Sequence, residues 1–157
     1  MPVTPPQHAV CVGTYGHTFN AYAGLTFQVA LFNTSTAVFP SASSSYLSVG
    51  LAGYYLVWFD VTVGHSSGSS DAAATFFVEY SSNASSWFEL SGSRAYVSIH
   101  GAGGYATCSK RIPFITNGIV PMYLRVAGAK TLSADTLTTI GGSTNFGIQT
   151  IHLQEVA

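Results

Sequence analysis

Charged side chains are scarce in this chain of 157 residues. Asp, Glu, Lys and Arg together make up 7% of the sequence, and the formal net charge is −1, whereas an ordinary soluble domain has about 25% charged residues. A free monomer with so few charges has little electrostatic protection against self-association. We therefore expect sister subunits or a larger assembly to cover much of the surface, which indicates a structural or assembly protein.

Targeting and membrane-spanning segments are also missing. The N-terminal stretch MPVTPPQHAV has no basic residue and no long apolar core, so it lacks the pattern of a signal peptide. No apolar run reaches the length of about 18 residues that indicates a membrane-spanning helix. We expect synthesis in the cytoplasm without a signal peptide and no association with a membrane. The two sequons, at Asn33 and Asn83, are then chance matches in a chain rich in Ser and Thr.

Cysteine is rare as well, with only Cys11 and Cys108 in the sequence. Their separation fits neither a zinc knuckle nor a CxxC redox pair. We expect two buried, reduced thiols that pack as small apolar side chains. A disulfide between them is the alternative, and an export signal would favour it.

Patterns typical of catalytic and ligand-binding sites are missing too. The six acidic residues are scattered, no His-x-His motif with a nearby Glu is present, and no G-x-S-x-G motif marks a nucleophilic serine. Of the five basic residues only Lys110 and Arg111 are adjacent, which gives no basic patch for nucleic acid. We expect no enzymatic activity, no metal or other cofactor, and no nucleic-acid partner.

The pattern that the sequence does have is alternation of apolar and polar side chains. Such a period of 2 is typical of β-strands with one buried face, and the clearest runs begin at Leu25, Tyr55, Phe76, Ala95 and Met122. The run from Leu25 to Leu31 is predicted to be one strand. Gly- and Ser-rich turns separate the runs, and no window of a dozen residues has a helical period. The sequence therefore predicts an all-β sandwich or jelly roll.

One predicted strand is apolar on both faces. Opposite its core positions it carries Tyr54, Leu56 and Trp58, before this second face becomes polar at Asp60. A sandwich has a single core, so a second apolar face needs another partner, and identical subunits in a closed ring are the simplest one. We predict that these side chains lie at a subunit interface. A loop of the same chain that covers them is the alternative.

The C-terminal strand shows a similar change of face. Phe146 and Ile148 share one parity, whereas Ile151 and Leu153 lie on the other. A bulge would explain the switch, and so would a strand that is covered on both faces. In the second case Ile151 and Leu153 join the predicted interface.

These strands resemble a known family in their order and spacing. Residues 45–63 (SYLSVGLAGYYLVWFDVTV) resemble the signature strand of the jelly roll shared by the complement globular heads and tumour necrosis factor. Residues 25–40, 106–126 and 145–157 are similar to three further segments of that family. The turn at Asn117-Gly118 departs from the family's Gly-Asp turn, and there is no collagen-like stalk.

The resemblance implies a fold and a subunit number. It implies an all-β, ten-stranded antiparallel jelly-roll sandwich that forms a compact homotrimer. Residues 11–157 are then a single jelly-roll domain. On this reading the trimer interface contains Tyr54, Leu56, Trp58, Ile151 and Leu153.

Residues 1–10 are predicted to form an extended N-terminal arm. Proline cannot pair as part of a central strand, and three prolines lie in this segment. We expect the arm to reach a neighbouring subunit or an underlying shell through Pro2, Val3, Pro5 and Pro6.

Two functions are consistent with these features. Bacteriophage head and fibre proteins also use this fold, and the missing stalk and signal peptide favour a structural virion protein. We expect a capsid decoration (cement) or head-fibre trimer on the capsid exterior, with itself and the major capsid protein as partners. The alternative is a receptor-binding or adhesin tip that contacts a glycan or protein receptor on the host surface.

Overall fold

The computed structural model describes residues 8–13, 18–19, 23–25, 29–33, 38–40, 46–50, 52–65, 71–101, 103–116, 121–132, 137–141 and 143–150. Within these ranges the protein is all-β, with fourteen strand segments and no helix. All of their pairings are antiparallel, as predicted. The described residues also contain no helix that is long and apolar enough to cross a membrane.

The strand segments follow one another in chain order. They are β1 (His8–Gly13), β2 (Thr18–Phe19), β3 (Ala23–Gly24), β4 (Val29–Asn33), β5 (Val38–Pro40), β6 (Leu47–Val49), β7 (Tyr54–His65), β8 (Ala72–Ser81), β9 (Phe88–Glu89), β10 (Ala95–Ile99), β11 (Tyr105–Ile115), β12 (Met122–Leu132), β13 (Leu137–Thr139) and β14 (Thr144–Thr150).

The segments form two sheets, which we name after their long strands. In the β7 sheet, β11 pairs with one edge of β7, while β13 and β14 pair with the other edge. Beyond them lie β2 and β1, and then β4. In the β8 sheet, β8 lies between β12 on one side and β9 with β10 on the other, and β12 also pairs with β3 and β6. β13 and β14 pair with successive parts of the same edge of β7, so two short segments can occupy the place of one long strand. The number of segments therefore does not test the predicted number of ten strands.

The core lies between the two sheets and consists of alternate residues of each strand. On β7 the buried side chains are Tyr55, Val57, Phe59, Val61 and Val63. The predicted faces of β10 and β12 are buried in the same way. Each large apolar side chain moved from water to this core stabilises the fold by roughly 1.5–3 kcal/mol. The four strand predictions that begin at Tyr55, Phe76, Ala95 and Met122 are confirmed.

The predicted single strand from Leu25 to Leu31 is confirmed only for Val29–Leu31, since residues 26–28 lie outside the described residues and Leu25 is not in a strand. β3 belongs to the β8 sheet and β4 to the β7 sheet, so this part of the chain passes from one sheet to the other. Leu25 itself is buried, and its N–H donates to the carbonyl of Val126 at 2.8 Å. Apolar and polar side chains alternate in the same way whether a segment stays in one sheet or passes to the other. The sequence therefore did not reveal the crossing.

The first strand begins earlier than the predicted domain. β1 starts at His8 and pairs with both β14 and β4, so the last three residues of the predicted arm lie in the β7 sheet. Pro2, Val3, Pro5 and Pro6 lie outside the described residues. The role of the arm stays a prediction.

Cys108 lies on the core side of β11 as a buried, free thiol. Burial is the main cause that raises its pKa to about 12, and the negative charge of Asp60 adds to the effect. The side chain of Cys11 lies outside the described residues. Cys108 therefore has the character of a small apolar core residue, as expected from the sequence.

We expect Cys108 to react very slowly with thiol reagents in the folded protein. Only the thiolate is nucleophilic, and a pKa of about 12 in place of 9.0 lowers the thiolate fraction at pH 8 by about a thousandfold. The rate of labelling by an aromatic disulfide, measured on a Cys11→Ser variant with and without denaturant, checks this. A native rate within about tenfold of the unfolded rate would contradict it.

The raised pKa of Cys108 also determines whether the protein gains or loses stability as the pH rises. The unfolded thiol loses its proton first, so the contribution of Cys108 to the free energy of unfolding should be constant below about pH 9 and fall from there toward pH 12. Burial also raises the pKa of Tyr55, which acts in the same direction. A Cys108→Ala variant should lose the thiol's part of this dependence.

Candidate self-association surface

The outer face of β7 carries the first three predicted interface residues. Tyr54, Leu56 and Trp58 alternate with the buried residues of the same strand and point away from the core. Tyr54 is 49% exposed, and the other two are half-buried. The structure thus confirms that this strand has a second apolar face outside the sandwich. Whether another subunit covers that face stays a prediction.

The neighbouring strand β11 extends this apolar face. Ile115 lies directly opposite Tyr54, and Pro113 lies opposite Leu56. Ile115 is 47% exposed, and Pro113 is also exposed. Side chains opposite each other on one face of a sheet are in contact range. We call Tyr54, Leu56, Trp58, Pro113 and Ile115 together the β7–β11 face.

The same two strands become polar toward their other ends. The Ser109 hydroxyl donates to the Asp60 carboxylate at 2.5 Å, and the hydroxyls of Thr62 and Thr107 lie 2.8 Å apart. Arg111, opposite Trp58, is exposed. On β7 and β11, hydrogen-bonded polar groups therefore border the apolar group at Tyr54, Leu56 and Trp58, and a further exposed aromatic residue, Tyr105, lies at the other end of β11.

Trp58 lies against a glycine of the adjacent strand. Gly147 on β14 is its partner in the register, and a Cβ added at Gly147 would overlap atoms of the indole ring. The ring can lie close to the backbone of β14 because Gly147 has no side chain. Part of the Trp58 side chain therefore packs within its own subunit. The sequence did not indicate this contact.

Part of the outer face of the β8 sheet is covered by the chain's own side chains. Glu79 on β8 and Arg125 on β12 form an ion pair with a distance of 2.6 Å, and both side chains are largely buried. The ring of Trp87 lies 4.2 Å from the Arg125 guanidinium carbon. Tyr46 contacts Trp87 and Tyr123, with ring centroids 6.0 Å and 5.3 Å away. An aromatic cluster thus seals a buried ion pair here.

A second cation covers the only large aromatic residue of β8 on that face. Arg94 places its guanidinium carbon 4.6 Å from the centre of the Phe77 ring, which is buried. Arg94 is held in place by Glu89. The Nε and Nη2 groups of Arg94 donate to the two carboxylate oxygens at 2.8 Å and 2.6 Å. The two outer faces of the sandwich therefore differ in part: the β8 sheet covers its outer face around Phe77 and Arg125, although Tyr96 on β10 is 72% exposed, whereas β7 and β11 leave several neighbouring apolar side chains exposed.

The remaining predicted contact residues cannot be placed. Ile151 and Leu153, like the arm residues Pro2, Val3, Pro5 and Pro6, lie outside the described residues. Ile115 and Pro113 belong to the face but were not predicted for it. The alternation in the sequence shows that the two residues share one face of β11. It does not show the strand register, which sets them opposite Tyr54 and Leu56.

The candidate metal ligands of the described ranges are Asp, Glu, His and Cys side chains. No group of three or more His, Cys, Asp and Glu side chains comes together there. Asp71 and His100 are 3.1 Å apart, but both are well exposed. The absence of a metal, a cofactor and a catalytic centre stays a prediction.

We expect Gly147→Ala to lower the free energy of unfolding by about 1–3 kcal/mol, because the added methyl group must displace the Trp58 ring. In a Trp58→Leu background the same substitution should cost much less, since the smaller side chain can move. Urea unfolding of the four proteins at one fixed subunit concentration gives the coupling energy. Equal costs in both backgrounds would show that the ring does not rest on Gly147.

The fold was compared with known proteins. Neither the protein-family models nor the curated proteins give a match. Among solved structures, murine APRIL superposes with a TM-score of 0.65 at 13% identity, over 93% of this chain and 99% of that chain. The Eiger TNF of S. frugiperda superposes with a TM-score of 0.66 at 10% identity, over 98% of each chain. The chain therefore has the TNF-like jelly-roll fold, which is the fold implied by the sequence resemblance.

Proposed function

We propose that this protein is a non-enzymatic structural protein that acts as a homotrimer joined through the β7–β11 face. The observation that carries this proposal is the exposed pair of Tyr54 and Ile115 beside Leu56 and Pro113, which together form an apolar group on the outer face of the β7 sheet. Large apolar side chains exposed together are typical of interaction surfaces. The TNF-like fold supports three as the subunit number, since the family resemblance implies a homotrimer.

Charge and hydrogen bonding at the face support subunit contact. The five residues of the face are uncharged, so burying them removes no charge from water; the charged side chains of Asp60 and Arg111 lie at its border. Each large side chain transferred from water contributes roughly 1.5–3 kcal/mol. The low content of charged residues also means little repulsion between subunits.

The finer role that we propose is decoration of a bacteriophage capsid. The trimer would lie on the capsid exterior, bind the major capsid protein and reinforce the shell. A near-zero net charge favours dense packing of copies. A trimer presents three equivalent contact points, so weak contacts to a local three-fold site are strengthened by avidity.

A receptor-binding tip is the second candidate. Tyr96 and Tyr105 are 72% and 70% exposed, outside the β7–β11 face. Tyrosine is enriched at protein recognition surfaces, and the likeness to structures named APRIL and Eiger TNF fits a ligand-like protein. Under this proposal the trimer presents these tyrosines to a glycan or protein on the host surface.

We expect the protein to be a trimer and Tyr54→Asp to dissociate it, because the substitution places an unpaired charge in an apolar interface. Light scattering after size exclusion should give three times 16.5 kDa for the wild type and a single 16.5 kDa chain for the variant. Tyr96→Asp is the matched control, since it changes an exposed tyrosine on the other sheet and should remain trimeric. A wild-type monomer at micromolar concentration would refute the proposal.

Particles assembled without the protein test the finer role. They should assemble but burst at lower temperature than complete particles, and added trimer should restore them. A variant without residues 1–7 should still fold, because β1 begins at His8, but should no longer attach. Particles that are equally stable without the protein, yet fail to adsorb to host cells, would favour the receptor-binding role instead.

A further inference from the structure

A cleft of about 440 Å³ opens between the two sheets at the edge formed by β9 and β11. Tyr80, Leu90, Phe114, Ile115 and Met122 supply most of its apolar lining. This volume lies within the range of about 300–1,000 Å³ that is typical of small-molecule sites. The cleft is separate from the outer face of the β7 sheet, and only its mouth, at Pro113 and Ile115, is shared with the β7–β11 face.

The floor of the cleft is the hydrophobic core itself. Phe114 and Met122 are only 5% and 6% exposed, and Tyr80 and Leu90 pack against the core from the sides. The Tyr80 ring lies between Phe114 and Phe88, with centroid distances of 6.4 Å and 5.9 Å and tilted planes. Tilted and offset arrangements are the ones that aromatic rings prefer, and a methionine sulfur also makes favourable contacts with rings.

Two polar residues of the cleft, Thr116 and Glu89, have partners inside the protein. The Thr116 hydroxyl accepts a hydrogen bond from the Gly53 N–H at 3.0 Å, and the Thr116 N–H donates to the Gly53 carbonyl at 3.3 Å. Both oxygens of the Glu89 carboxylate bind Arg94. An occupant therefore meets no unpaired charge in the cleft and needs none of its own.

We propose that this cleft binds a small, uncharged molecule with an aromatic ring. The size of the cleft fits a compact ligand, the rings of Tyr80 and Phe114 give it aromatic contacts, and the paired Glu89 removes any preference for a charged one. Placing an ionised group beside this apolar floor would cost desolvation without a free partner. The site goes beyond the proposed structural role and does not depend on trimer formation.

Two dyes that differ in one sulfonate group test the class of ligand. N-phenyl-1-naphthylamine is uncharged, and 1-anilinonaphthalene-8-sulfonate is its anionic counterpart. Fluorescence titration of the full chain should show saturable binding of the uncharged dye at one site per chain. The anionic dye should bind about tenfold more weakly or worse. Absence of saturable binding, or equal affinity for both dyes, would overturn the proposal.

A matched pair of variants tests the location. Ser91 is exposed and lines the cleft, whereas Ser98 is exposed on the outer side of β10. Ser91→Trp should block the mouth and weaken binding of the uncharged dye by about tenfold or more. Ser98→Trp should bind the dye as the wild type does. Unchanged binding to Ser91→Trp would place the dye elsewhere and refute the site.

The Tyr54→Asp variant separates a ligand site from a subunit contact. If the uncharged dye binds this variant but not the wild-type trimer, a neighbouring subunit fills the cleft and the proposal is wrong. Equal binding to both proteins supports it. If the wild type is a monomer and still binds the dye at one site, the proposed trimer fails while the ligand site stands.

Discussion

Strand β7 has neighbours on both edges and apolar side chains on both faces. β11 pairs with it from Tyr54 to Gly64, while β13 and β14 share its other edge. A strand that contributes to the core with one parity and forms an apolar outer face with the other requires apolar residues at consecutive positions. The run YYLVWF from residue 54 to residue 59 meets this requirement. The positions of the core, the β11 edge and the outer apolar face all depend on this one strand.

The difference between the two outer faces favours the β7–β11 face for the proposed association. On the β8 sheet, the Glu79–Arg125 pair lies beneath Trp87, and Arg94 covers Phe77. A buried ion pair adds little net stability compared with well-packed apolar side chains, but breaking it is costly. A copy that reached the residues beneath the covering rings and cations would have to displace them. The β7–β11 face requires no such rearrangement.

The sequence predicted the parts of the fold that depend on local pattern. Alternation correctly assigned the buried side of β7 and β10, and the glycine-rich segment before β11 is a turn, with positive φ angles of 70° at Gly101 and 76° at Gly103. Glycine is favoured there because other residues rarely adopt such angles.

The contacts between distant segments could not be read in this way. The passage of the chain from β3 to β4 keeps the same alternation as a single strand, so the pattern does not show which sheet each half joins. The place of Trp58 above Gly147 depends on the register of β7 with β14. Register is set by turn geometry and by the packing of whole faces, not by the residues of one strand.

Pro113 has a consequence for how far an assembly of this protein can grow. It lies in β11, which pairs with β7 alone among the described strands and therefore forms an edge of its sheet. An unprotected edge invites strands of other molecules to add one after another, and the product is a fibril. Proline offers no N–H to an incoming strand. Growth by strand addition is thus discouraged beside the apolar face, which favours closed particles of fixed size over open-ended polymers.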